Sequence, residues 1–104
     1  MGMNMAQMMK QARKMQEQLA QTEEKLRDME VSSSAGGGMV KVTATGGMRI
    51  TSIQIDPEAV NPEDTDLLQD MILAAVNDAL NSAQDLASQQ MSAVTGGLNI
   101  PGLM

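Results

Sequence analysis

Lys10, Arg13 and Lys14 lie within five positions of one another near the start of the chain, and they are the clearest candidates for chemistry with a partner. Ammonium and guanidinium groups grouped in this way suit contact with phosphate oxygens. Lys41 and Arg49, set among β-branched residues, are secondary candidates. Catalytic chemistry has little to draw on. There is no histidine and no cysteine, so no serine or threonine has an imidazole to activate it, and there is neither thiolate chemistry nor a disulfide. Lys41 and Arg49 lack a recognisable acid–base partner, and an enzyme is not expected. The acids between Asp56 and Asp70 lack the alternating Asp/Asn loop, fixed glycine and terminal Glu of a calcium site. Negative charge at a helix start accounts for them better. The glycines at 36–38, 46–47 and 96–97 are not followed by Lys-Ser or Lys-Thr, so they read as turns and caps rather than phosphate loops. Catalytic residues, metal, cofactor and small-molecule substrate are therefore all expected to be none.

The formal net charge of −6 favours solubility and argues against a generally basic nucleic-acid binder. The local distribution matters more. Residues 1–22 carry Lys10, Arg13, Lys14 and Glu17, a local +2, whereas residues 56–85 carry acids alone. The 104 residues suit one domain, with no Trp, Tyr or Phe and twelve methionines. A core without aromatic side chains is thin, which favours association as a further source of burial. The start MGMNMA lacks a signal-peptide pattern, Ala6 breaks the myristoylation pattern, and no run approaches the roughly 20 apolar residues of a membrane span. A cytoplasmic protein with no membrane partner is expected.

The elements that must position these residues begin with a long helix, about residues 4–30. Met5, Ala12, Leu19 and Leu26 form one row of a heptad frame, and Met8, Met15, Thr22 and Met29 form the other. Lys10, Arg13 and Lys14 project away from that seam, with Arg13–Glu17 an ordinary i,i+4 pair. Such a helix is roughly 40 Å long and overhangs a domain about 25–30 Å across, so its stripe needs a second long helix, in this chain or in another copy. Strands are expected at about 31–35, 39–45 and 48–56. Gly46-Gly47 reads as a two-residue hairpin turn with positive φ at both positions. Ile50 and the pair Ile53 and Ile55 differ in parity. Either a bulge near Thr51-Ser52 places all three on one face, or both faces are partly buried. A second helix is expected at about 62–93, with Asn61 as cap, Pro62 at its first position, and Glu63, Asp64 and Asp66 in its first turn. Its seam is Leu68, Ile72, Val76, Ala79, Ala83 and Leu86. Together these form a single domain over 1–95, followed by an apolar, partly mobile tail over 96–104.

The segments MMKQARKMQEQL, GGGMVKVTATG, ITSIQIDPEAVNPEDTDLLQDMILAAVNDAL and GGLNIPGLM resemble the YbaB/EbfC family of bacterial nucleoid-associated DNA-binding proteins. The resemblance covers nearly the whole chain. It is most specific at the VKVTATG strand, the Ile55-Asp56-Pro57 corner and Ala75-Val76-Asn77-Asp78-Ala79. It implies an α+β fold, an α-β-β-β-α subunit with a small antiparallel sheet and two long helices, and a tweezer-like homodimer whose helices protrude as arms. It further implies binding of double-stranded DNA in the nucleoid. Family members often carry Lys or Arg in the second half of the last helix, and Asn77 to Gln90 has none, so that arm adds little phosphate attraction.

Two functional expectations follow. In the first, a homodimer binds DNA with little sequence specificity through Lys10, Arg13 and Lys14, with Lys41 and Arg49 secondary. Altered DNA conformation, nucleoid organisation or modulated gene expression are the expected outcomes of that binding. Met8, Met15, Leu19, Leu26, Ile72, Val76 and Ala79 supply the dimer or core seam. In the second, favoured by the acidic balance, the same fold serves as a helical protein–protein adaptor with weak or no DNA affinity.

Overall fold

A computed structural model describes residues 4–96. The chain runs α1 (Met5–Leu26), β1 (Glu30–Ala35), β2 (Val40–Thr45), β3 (Ile50–Ile55), a short 3-10 turn (Pro57–Ala59) and α2 (Thr65–Gly96). This is the α-β-β-β-α order with three antiparallel strands in sequence order. The molecule measures 73 × 26 × 15 Å, with a radius of gyration of 20.2 Å. A compact chain of this length would have a radius near 13 Å. The excess comes from helices that run past the sheet.

α1 forms because its interior holds good helix formers and neither proline nor glycine. The Asn4 side chain caps it, accepting from the Gln7 N–H at 2.8 Å. The helix ends at Leu26, four residues short of the expected Glu30. Asp28 and Met29 close a turn on the Lys25 and Leu26 carbonyls, and the Gly46 N–H takes the Met29 carbonyl at 2.9 Å. Met29 thus leaves the heptad row to join the hairpin, and Glu30 begins to pair with Thr45.

The β1–β2 link passes through Gly36, Gly37 and Gly38, all at positive φ, where glycine is needed. The β2–β3 turn corrects the sequence reading. Thr45 and Arg49 close a three-residue loop, the Thr45 N–H donating to the Arg49 carbonyl at 2.8 Å and the Met48 N–H to the Thr45 carbonyl at 2.9 Å. Positive φ falls on Met48 (65°), not on the glycines. The register between β2 and β3 shifts at Thr43/Ala44: Thr43 faces Ser52, while Ala44 faces Ile50. Thr51 is the extra residue, so the bulge, rather than two-sided burial, puts Ile50, Ile53 and Ile55 on the face of Val40, Val42 and Ala44.

The second helix starts later than expected. Asn61 accepts from the Glu63 N–H at 3.0 Å, and the Asp64 N–H reaches the Asn61 carbonyl. Asn61 to Asp64 is therefore a separate turn, and of the three acids only Asp66 lies in the first turn of α2. At the other end, Thr95 and Gly96 remain helical rather than ending the helix. The rest of the expected tail, 97–104, lies outside the described residues.

The core lies between α2 and the sheet. Ala75, Ala79 and Ala83 are fully buried against Val40, Val42 and Ala44, with Leu68, Met71, Ile72 and Val76 packed around them. Alanines at four-residue spacing let the helix backbone lie close to the sheet, so the buried row is narrower than the expected seam. α2 covers β1 and β2 but barely touches β3. Ile53 and Ile55 consequently stay 46% and 38% exposed on what is otherwise the core face.

Candidate nucleic-acid interface

α1 meets the rest of the molecule at its C-terminal end. Leu26 is buried beside Gly46 at the hairpin, and Thr22, Leu19 and Met15 are half-buried along the line that leads back from it. α2 begins at the opposite end of the sheet, where Met71 lies against Gly36. It then passes under the sheet and returns antiparallel to α1. Gln90, Ala93 and Val94 line one wall of a cleft of about 600 Å³, and Gln11, Lys14, Gln18, Gln21 and Lys25 line the other, with Met15 and Thr22. The lining contains no acid.

From Asn4 to Lys14 every residue of α1 is exposed. Lys10, Arg13 and Lys14 thus stand on a protruding arm, within an arc of about 100° around the helix. At about 100° per residue, Lys14 shares the cleft flank with Gln18, Gln21 and Lys25. Lys10 lies one turn earlier at that flank's outer edge, and Arg13 lies farther round, beside Glu17. Met8, assigned to the seam from the sequence, is 56% exposed, because α1 at that point has run beyond α2. Of the other seam residues, Met15, Leu19, Ile72 and Val76 are half-buried, and Leu26 and Ala79 are buried.

Lys41 and Arg49 are not brought together. Lys41 projects from the outer face of the sheet, in register with Ser34 and Gln54. Arg49 sits in the hairpin at the far end of the sheet. Its neighbourhood contains a feature absent from the sequence reading. Gly47 in the same hairpin lies against Arg27, which follows the last residue of α1, and Lys25 is in the last helical turn. Arg27 and Arg49 thus both sit at the joint of α1 and the hairpin, roughly 20 Å along the helix from Lys14, with Glu23, Glu24, Asp28 and Glu30 in the neighbouring sequence. The signal for it is where the helix ends. A helix continued to residue 30 leaves Arg27 as one more surface cation, whereas an end at Leu26 turns it onto the hairpin.

All seven basic residues of the chain lie on α1, on the turn after it, or on β2 and its hairpin. α2 carries none, and holds Asp66, Asp70, Asp78 and Asp85. α1 carries four cations against Glu17, Glu23 and Glu24, whereas the charged residues of α2 are all acids.

The family model of the YbaB/EbfC DNA-binding family matches residues 1–98. The chain belongs to the YbaB/EbfC DNA-binding family. Among similar proteins is a nucleoid-associated protein of Pelotomaculum thermopropionicum, 57% identical over 103 residues, which cover 99% of this chain and 98% of that one. Another is a nucleoid-associated protein of Alkaliphilus metalliredigens, 50% identical over 100 residues, 96% of this chain and 88% of that one. The fold is similar to the crystal structure of an uncharacterized protein from Helicobacter pylori, with a TM-score of 0.80 at 27% identity, covering 91% of this chain and 100% of that one. YbaB/EbfC is a DNA-binding family rather than a family of enzymes. Among the described residues, no helix is long and apolar enough to cross a membrane.

Proposed function

We propose that two copies of this chain join and bind duplex DNA in the nucleoid, mainly through phosphates and with little base preference. The carrying observation is the segregation of charge: all seven cations lie on the α1 and sheet half of the molecule, and none on α2. A net charge of −6 would repel DNA if it were evenly spread. Confining the acids largely to α2 and its approach lets α1 present a locally positive arm to a phosphate backbone. The relatives named for nucleoid association support the same reading. Pairing of two copies is supported by the apolar surface left open: Ile53 and Ile55 on the uncovered part of the core face, with Leu73 at 60% exposure on α2.

The test is a salt-dependent titration with duplex DNA. Lys10, Arg13 and Lys14 from two copies give at most about six phosphate contacts, so log K against log salt should be no steeper than about −5. Changing all three to glutamine keeps helix propensity and the seam. That variant should fold and associate as wild type does, yet bind at least about tenfold more weakly at low salt. Unchanged binding would remove the α1 arm from the interface and turn attention to Lys25, Arg27 and Arg49. Wild-type protein that fails to bind even at low salt would favour the adaptor reading, which the acidic surface of α2 supports.

A further inference from the structure

From Asn4 to Gln16 the sequence holds three cations, Lys10, Arg13 and Lys14, and no acid. The same stretch of α1 carries Met5, Met8 and Met9, which are 78%, 56% and 56% exposed. At about 100° per residue these methionines span an arc of roughly 100° around the helix, and the cations span the next arc of similar width. Met9 lies one turn before Arg13, so the two arcs adjoin. Contiguous large apolar side chains left open to solvent mark interaction sites. The charge around them says what they can meet. Val60, Leu67 and Leu73 are also 52%, 62% and 60% exposed, yet the charged residues from 56 to 85 are acids alone. Phosphate is repelled there and attracted beside the methionines.

The helix body, 10–12 Å across, is too wide for a minor groove of about 6 Å. Single unbranched methionine side chains are not. Proteins that bend DNA frequently push apolar side chains, methionine among them, between base steps from the minor groove. An aromatic ring is the common platform for the face of a base, and this chain has no Trp, Tyr or Phe. A thioether also attracts a π face, through its polarisable sulfur.

We propose that Met5, Met8 and Met9 enter the minor groove of duplex DNA and wedge open a base step, while Lys10, Arg13 and Lys14 hold the flanking phosphates. The inference rests on the DNA-binding reading and adds to it. The cations supply attraction without base preference, and the wedge supplies a change in the shape of the duplex.

The test uses the full chain and a duplex of about 20 base pairs, with 2-aminopurine at internal positions and a dye at each end. Anisotropy reports binding, 2-aminopurine emission reports unstacking, and energy transfer between the ends reports bending. On binding at low salt, emission should rise at least about twofold and energy transfer should increase. Met5→Gln/Met8→Gln/Met9→Gln keeps the charge and the helix propensity. That variant should bind within about threefold of wild type, because phosphate contacts carry the affinity, yet lose both optical changes. Wild-type protein that binds with both signals flat overturns the wedge and leaves the DNA reading standing. So does a variant that keeps both changes. Wild-type protein that gives no anisotropy change at low salt removes the DNA reading, and the wedge with it. Other occupants of the arc are read separately. Association of the variant weakened by about tenfold or more in sedimentation equilibrium assigns the methionines to a second copy and overturns the proposal. Affinity that falls about threefold or more when uracil replaces thymine places them on methyl groups in the major groove and overturns it too. Wild-type binding to phosphatidylglycerol vesicles that the variant loses, with no 2-aminopurine response, assigns the arc to a lipid surface instead.

Discussion

Gly46 and Gly47 are neighbours in one turn, and the structure assigns them opposite tolerance of a methyl group. A Cβ on Gly46 would stand 2.6 Å from Leu26 Cδ2, 3.0 Å from the Leu26 carbonyl oxygen and 3.1 Å from Leu26 Cβ. None of these can withdraw easily. Leu26 is only 3% exposed, and its carbonyl is held by the Met29 N–H. The hairpin cannot retreat either without stretching the 2.9 Å bond from the Gly46 N–H to the Met29 carbonyl. Gly46→Ala should therefore cost about 1–3 kcal/mol as overpacking. For a chain of this size that is a Tm lower by roughly 5–15 °C. A Cβ on Gly47 would meet Arg27 Cγ at 3.4 Å and Arg27 Cα at 3.5 Å, ordinary contacts at an exposed position. Gly47→Ala should change stability by no more than about 0.5 kcal/mol, the stiffer unfolded chain offsetting any loss. Thermal circular dichroism at 222 nm, at one fixed protein concentration, compares them. Adding Leu26→Ala to Gly46→Ala removes the Cδ2 contact but not the carbonyl contact, so the pair should be less damaging than the sum of the singles. Equal melting temperatures for Gly46→Ala and Gly47→Ala would falsify the account of the α1–hairpin joint.

Other perturbations probe the seam, the loop and the open face. Leu19→Asp puts a charge into the half-buried row between the helices and should cost several kcal/mol, read as a large fall in Tm; an unchanged Tm would mean that the row faces solvent. Met48→Gly relieves a left-handed residue and should add about 1 kcal/mol to stability in urea titration, whereas a loss would mean that the Met48 side chain contributes more than its backbone costs. Ile53 keeps nearly half its surface exposed. If that surface is buried between two copies, Ile53→Ser should weaken association by about 1 kcal/mol per copy, roughly thirtyfold in Kd, by sedimentation equilibrium; an unchanged Kd would place the interface elsewhere.

Much of the architecture is legible in the sequence because the local signals are strong. A long run free of proline and glycine and a run of alternating β-branched residues each have one structural meaning, and the order of elements follows from them. The errors cluster where tertiary contact overrides a local rule. The first helix stops early because the Met29 carbonyl is taken by Gly46, a residue seventeen positions away. The Gly46-Gly47 pair suggested positive φ, yet glycine is required at 46 by the closeness of Leu26, and the strained residue is Met48. The acidic turn before α2 donates the Glu63 and Asp64 N–H groups to Asn61 and delays the helix to Thr65.

The candidate interface was less legible than the fold, for a physical reason. A cluster of charges in sequence reports a cluster in space only if the side chains share a face. Lys10, Arg13 and Lys14 fall within about 100° of arc on α1, with Lys14 at the cleft and Arg13 at the far edge beside Glu17. Arg27 and Arg49 are far apart in sequence, but the hairpin's seat on the end of α1 puts Arg27 against Gly47, two residues from Arg49. The cleft between the helices also puts Lys14 and Lys25 in line, with Gln18 and Gln21 between them and no acid in the lining. Amides are neutral in charge but can still donate hydrogen bonds to phosphate oxygens. A flank built in this way attracts a phosphate backbone with few charges and offers no carboxylate to repel it. That is the arrangement an acidic chain needs if one of its surfaces is to meet DNA.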